Sequence, residues 1–196
     1  MPFIFVAEKI FKPIYPAIAR DIIRTTNIRE GVCLEIGSGT AALSRSLARI
    51  ANLRIVALDA SRSVCKISKR YIKDDKLEIA VVNGEVENLP FDSSSINLVV
   101  SRGSIFFWRN KVKALLEIIR VLKSGGIAYI GGGFGNAKLK RYIEKRMKQI
   151  KPTWRVDNRK RMQKVNFDAI CSMVENQGVK SCRIVRRTGI WMLVKK

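Results

Sequence analysis

The chain has 196 residues, 47% of them hydrophobic, with 38 Lys/Arg against 16 Asp/Glu for a net charge of +22 and no histidine. That length and apolar share suit one domain with a sizeable core, while the excess of positive charge favours an anionic partner only as a long-range field. The missing imidazole excludes a Ser-His or Cys-His nucleophile pair, a histidine base and histidine metal ligation, so no metal site is expected.

The N-terminus, "MPFIFVAEKIFKPIYPAIARDIIRTTNI", starts apolar but has neither a basic leader nor a small-residue cleavage site. It therefore reads as packed helix rather than signal peptide, and a cytoplasmic location is expected. No apolar run reaches the length of a membrane span, so no stable membrane insertion is expected. Helical spacing over residues 5–28 is interrupted at Pro13 and Pro16, which predicts two short helices. Val32 to Ile36 reads as a first strand, followed by a helix from about Ala41 to Ala51. "LRIVALD" (53–59) is a second strand, and "SRSVCKISKRYIK" opens with a serine cap and continues as a helix. "LEIAVVNG" (77–84) and "INLVVSRG" (96–103) are strands three and four. "KVKALLEIIRVLKSGG" reads as an amphipathic helix closed by glycines, and "IAYIGGGFG" as a fifth strand entering a glycine-rich loop. "CRIVRRTGIWMLVKK" reads as two strands around a Thr-Gly turn, too close together for a crossover helix.

Strands alternating with helices predict a doubly wound α/β sheet with helices on both faces and right-handed crossovers. The terminal hairpin should add antiparallel pairing to this otherwise parallel, Rossmann-like sheet of seven strands. The expected organisation is one domain. Residues 1–30 supply N-terminal helices, 31–130 the ligand-binding core, 131–165 a basic substrate-side segment, and 166–196 a last helix and hairpin. Four widely spaced cysteines with no CxxC (Cys33, Cys65, Cys171, Cys182) read as reduced thiols.

In such folds ligands bind at the carboxyl ends of the strands, near the point where strand order reverses. Gly37 and Gly39 follow strand one, Asp59 ends strand two, Gly84 and Glu85 end strand three, and Ser101 ends strand four. The turn G-S-G-T-A-A lacks a complete GxGxxG. Glu35 lies two residues before it, where a carboxylate repels pyrophosphate and attracts an ammonium group. Asp59, 20 residues after Gly39, is at the spacing of an acid that accepts from a ribose diol. Glu85, with Val86, Leu89 and Phe91 near it, is placed to meet a base. An amine, a ribose, a base and no phosphate describe S-adenosylmethionine. The competing readings are an NAD(P)-binding oxidoreductase and an S-adenosylmethionine-binding protein without catalysis.

The pieces "LEIGSGTA" (34–41), "ALDAS" (57–61), "GEVENLPFDSSSINLVVS" (84–101) and "EIIRVLKSGG" (117–126) resemble the class I S-adenosylmethionine-dependent methyltransferases. The similarity is greatest to the type 11, ubiquinone/menaquinone-biosynthesis-like domain, and covers about half the chain. The resemblance implies that Glu35, Gly37, Ser38 and Gly39 shape the turn under the methionine moiety. It implies that Asp59 binds the ribose, Ala60 lines the adenine, Glu85 and Val86 stand at the adenine amino group, and Ser101 borders the methyl-donor pocket. It also implies S-adenosylhomocysteine as product. Ala41 replaces a common third glycine, which implies a wider turn. "SIFFW" (104–108) replaces a histidine-containing stretch, so the family's acceptors do not transfer to this chain.

An activated methyl donor leaves the protein mainly to align acceptor and donor and exclude water. Base candidates are a lone carboxylate, Tyr15, Tyr129 or none. Arg102, Phe106, Phe107, Trp108 and Phe134 are the candidate acceptor-pocket residues. Residues 138–164 carry twelve Lys/Arg and two acids together with Trp154. Two uses compete: a lid over a small-molecule acceptor, which is preferred, or a grip on RNA phosphates with Trp154 stacked on a base. Thiol-dependent metalloid methylation is disfavoured, since Cys171 falls on a helix and Cys182 enters a strand.

Overall fold

In the computed structural model, which describes residues 3–196, a short helix α1 (Phe3–Phe5) runs into one π-helical turn (Val6–Ile10). Helix α2 (Ile14–Thr26) follows. Pro13 is its N-cap and Pro16 lies in its first turn, where no N–H donor is needed. The chain is therefore broken once here, at Pro13, and not at Pro16.

The remaining elements alternate. They are β1 (Glu30–Ile36), α3 (Ala42–Ala48), β2 (Asn52–Asp59), α4 (Arg62–Asp74), β3 (Ile79–Asn83), β4 (Ile96–Arg102) and α5 (Lys111–Val121), then β5 (Leu122–Gly132). Helices α6 (Ala137–Ile150), α7 (Trp154–Gln163) and α8 (Phe167–Glu175) precede the hairpin β6 (Ser181–Arg186) and β7 (Ile190–Lys195). They build a seven-stranded sheet in the order β3-β2-β1-β4-β5-β7-β6. Strand β7 pairs antiparallel with both β5 and β6, so it alone runs against the others. The order reverses between β1 and β4, which puts the ligand crevice at their carboxyl ends.

Alternation along the strands sends side chains to two cores. Leu34, Ile36 and Val99 pack with Ile118 of α5 and Phe167 and Val174 of α8 on one face. Cys33, Ile55, Leu98 and Val100 pack with α2, α3 and α6 on the other, through Ile18, Ile22, Leu43, Leu47 and Ile143. Buried Arg45 on α3 pairs with Glu8 and Asp75, tying the N-terminal segment to the end of α4.

Two sequence expectations change. Helix α5 is not closed by the glycines at 125 and 126. It ends at Val121, and β5 begins at once, with a register irregularity opposite Ile96 and Leu98. Gly125 takes a left-handed φ of +78°, and its N–H donates to the carbonyl of Lys196, so these glycines turn within the strand. Nor are all four thiols reduced. Cys171 and Cys182 form a disulfide, because α8 lies against β6 with their Cα atoms 5.5 Å apart. Cys33 and Cys65 are free and buried.

Candidate active site

The turn after β1 is held open by left-handed backbone at Gly37 (φ +63°) and Gly39 (φ +57°). A Cβ at Gly37 would lie 2.3 Å from the Ser104 Cβ, so glycine lets the β1 and β4 ends touch. Ala41, at φ +57°, keeps the left-handed conformation of the glycine it stands for, so the turn is strained rather than widened.

Hydrogen bonds stitch the strand ends into one rim. Asp59 Oδ2 accepts from the Gly39 N–H at 2.9 Å and Oδ1 from the Ser61 N–H at 3.0 Å. The Ser38 N–H donates to the Leu58 carbonyl. Asn83 Nδ2 donates to the carbonyls of Asp59 and Ala60, each at 2.9 Å. Glu87 Oε1 accepts from the N–H groups of Arg109 and Asn110 and closes the far side. Trp108 Nε1 donates to Ser104 Oγ, and Ser104 Oγ donates to the Ile36 carbonyl.

These ends enclose a cavity of about 450 Å³, within the range of small-molecule sites. Of the sequence-predicted residues, Gly37, Gly39, Asp59, Ala60, Glu85, Val86, Arg102, Phe107 and Trp108 line it. Glu35, Ser38 and Ser101 do not. The Glu35 carboxylate lies beneath the turn, where it accepts from the N–H and the hydroxyl of Ser44. Burial pushes its pKa up to about 7, against those bonds and with some help from the Asp59 charge. The Ser101 and Ser104 hydroxyls share a hydrogen bond. Ser38 Oγ is buried with no hydrogen-bond partner among the described residues. Sequence reasoning missed Val64 and Glu87, which line the cavity together with Ser104 from the stretch after Ser101. Their only signal is proximity to the strand ends.

A second cavity of about 290 Å³ shares Arg102, Gly103 and Phe107 with the first. Phe106 and Phe134 line it, joined by Phe11, Met147 and Trp154. Phe11, Phe134 and Trp154 meet edge-on in all three pairings, with centroids 6.2 to 6.5 Å apart. Trp108 is packed away at 7% exposure, whereas Phe107 is 70% exposed beneath the Arg161 guanidinium. The floor is reached by the hairpin turn. A Cβ at Gly189 would fall 1.9 Å from the Gly132 carbonyl oxygen, so glycine at 189 lets β7's turn seat against β5.

Neither tyrosine proposed as a base reaches these cavities. Tyr129 donates to Asp21 on the α2 side, and burial raises its pKa. Burial likewise raises that of Tyr15, which flanks the Arg102 guanidinium.

A methyltransferase-domain family profile matches residues 34–130. Among solved structures, a Methanococcus maripaludis protein assigned as an S-adenosyl-L-methionine-dependent methyltransferase superposes with a TM-score of 0.92. It is 40% identical, over 97% of this chain and 89% of that one. The chain belongs to the S-adenosyl-L-methionine-dependent methyltransferases. This methyltransferase is also 33% identical to an uncharacterized chloroplastic methyltransferase of Arabidopsis thaliana, over 53% of this chain and 31% of that protein. It is 29% identical to a demethylmenaquinone methyltransferase of Chlorobaculum tepidum, over 52% of this chain and 40% of that protein. It thus spans well under half the length of these curated relatives. No helix among the described residues is long and apolar enough to cross a membrane.

Proposed function

We propose that this methyltransferase binds S-adenosyl-L-methionine in the first cavity and a small-molecule acceptor in the second. The observation that carries this reading is the junction of the two cavities at Arg102, Gly103 and Phe107.

The first cavity suits the cofactor on its own chemistry. The N–H groups of Ser38 and Gly39 are consumed by the Leu58 carbonyl and the Asp59 carboxylate, so the turn offers little to a pyrophosphate. That weighs against a nicotinamide dinucleotide. Each Asp59 oxygen keeps a lone pair for a ribose hydroxyl. Ala60, Val64 and Val86 give an apolar slot for adenine, with Glu85 at its edge. The orphaned Ser38 hydroxyl and the ionisable Glu35 beneath the turn favour a polar, cationic group above it.

When bound, the cofactor supplies an activated methyl group. The protein's share is alignment, which can lower a barrier by roughly 7–11 kcal/mol in well-oriented systems, and exclusion of water by the aromatic wall. With both buried tyrosines unsuited to proton abstraction, the site favours an acceptor that needs no strong base.

A grip on RNA is supported by a different feature, the exposed cations of α6 and α7. Arg155 and Arg159 border a third, open cavity of about 460 Å³ beside Lys140, Arg186 and Arg187. Methyl transfer from labelled S-adenosyl-L-methionine into a cell extract, with and without RNase, separates the readings. Label in a small, RNase-indifferent species is expected; label in high-mass material that RNase removes would overturn the small-molecule assignment. Neutralising residues 155, 159, 160 and 161 should leave turnover intact. A cytoplasmic location is proposed on the N-terminal sequence alone; the Cys171–Cys182 disulfide weighs against a strongly reducing compartment.

A further inference from the structure

Arg102 ends β4 and faces both cavities, at the point where they join. Its guanidinium packs over the rings of Phe11 and Tyr15, 4.8 and 5.5 Å from their centroids. Its Nε donates a long hydrogen bond to the Gly133 carbonyl at 3.4 Å, and the Tyr15 hydroxyl lies beside it as a further acceptor. Among the described residues no carboxylate forms an ion pair with it, although the protein pairs its other enclosed arginine, Arg45, with two acids. Glu35 is near enough to be felt electrostatically, but its carboxylate is bonded to Ser44. Arginine remains charged in proteins and has five N–H donors, more than the Gly133 carbonyl and the Tyr15 hydroxyl can use, so part of the fork is left over in a largely aromatic chamber. Enclosing a cation without a partner is costly, whereas a planar anion in the chamber would meet it through two parallel bonds.

The cost rises when the donor binds. The cofactor brings a sulfonium, an ammonium and a carboxylate to the neighbouring cavity, a net charge of one more positive unit, and a neutral acceptor would leave that excess beside Arg102 without a counter-ion. One anionic group relieves both. A single guanidinium suits a monoanion, and the chamber of about 290 Å³ limits the rest of the molecule to a small apolar body. By contrast, Arg155 and Arg159 on α7 are exposed, and water already balances their charge.

Resting on the two-cavity reading above, we propose that the acceptor site takes a small, largely apolar carboxylic acid, with its carboxylate paired to Arg102. Titration calorimetry of the whole chain loaded with S-adenosyl-L-homocysteine tests this with three probes: phenylacetate, the isosteric neutral phenylacetamide and phenyl phosphate. Phenylacetate should bind about tenfold more tightly than phenylacetamide, as one charge-assisted hydrogen bond provides, and more tightly than phenyl phosphate. Arg102→Met should erase the preference over the amide, while Arg102→Lys should keep part of it. Equal binding of acid and amide by the wild type, or a preference for the phosphate, would overturn the proposal. So would an unchanged preference in Arg102→Met. Binding of S-adenosyl-L-homocysteine alone is measured first. Its presence with no carboxylate preference rejects the acceptor class and leaves the cofactor site standing, whereas its absence rejects both.

Discussion

The two cavities that meet at Arg102 are built by opposite means. The first comes from the ends of β1 to β4 and the turns after them, and backbone hydrogen bonds such as Gly84 to Asp59 and Gly103 to Gly131 fix those ends to neighbouring strands. The second is assembled largely from the side chains of Phe11, Phe106, Phe134, Met147 and Trp154, which belong to five separate segments. Strand-end geometry is dictated by sheet register. An aromatic chamber answers only to packing, and can change its shape without disturbing the sheet.

The sharpest test of that division is Asp59→Asn. Asparagine keeps an acceptor for the Gly39 N–H but turns an amide donor toward the Ser61 N–H and loses the charge offered to the ribose. S-adenosyl-L-homocysteine affinity should fall by about 30–100-fold, the scale of charge-assisted bonds, while the melting temperature falls by only the few degrees that one lost hydrogen bond costs. Calorimetry and a thermal melt check this; intact affinity would show that the first cavity does not hold the ribose there.

Glu35→Gln probes the support beneath the same turn. The Glu35 carboxyl sits at about 7 against an ordinary 4.5, so between those values the folded state holds a proton that the unfolded state has lost. Stability from this group is therefore full below about pH 4.5 and declines as pH rises through 7, by up to about 3 kcal/mol. The glutamine variant should lack that decline, as urea melts at pH 5 and pH 8 would read. A parallel decline in both proteins would remove Glu35 as its source.

Phe134→Ala acts on the other cavity. It removes the edge contacts to Phe11 and Trp154, worth about 1 kcal/mol each beyond burial. Acceptor KM should rise about tenfold while S-adenosyl-L-homocysteine affinity stays put. If both constants move together, the cavities are one mechanical unit.

The smallest effect belongs to Ala41→Gly. Relief of a left-handed alanine, about 1 kcal/mol, is offset by loss of one buried methyl, about 0.8 kcal/mol. A melt should shift by no more than a degree or two. A large loss would mean that the methyl, packed with Ala57 and Ile72, matters more than the strain.

The same contrast explains what was legible in the sequence. Gly37, Gly39, Asp59 and Glu85 were readable because strand ends converge in any doubly wound sheet, and the hairpin was readable from its short turn. Phe11 and Trp154 were not, because nothing local says that residues more than a hundred positions apart will share a wall. The Cys171–Cys182 pairing was hidden for the same reason: it depends on α8 lying on β6. Glu35 was legible as an acid at the turn, but not as one facing Ser44 rather than the ligand, since strand alternation gives the face and not the reach. The early end of α5 escaped because Gly125 and Gly126 signal a turn equally well inside a strand.

Gly189 seated on Gly132 carries a consequence for how the molecule comes into being. The lining of the first cavity is complete once Arg109 has been added to the growing chain, but the second lacks part of its floor until Gly189 arrives and the hairpin docks. Synthesis therefore supplies every lining residue of the first cavity before the last one of the second. A chain halted between those residues carries all the lining residues of the one and an incomplete set for the other.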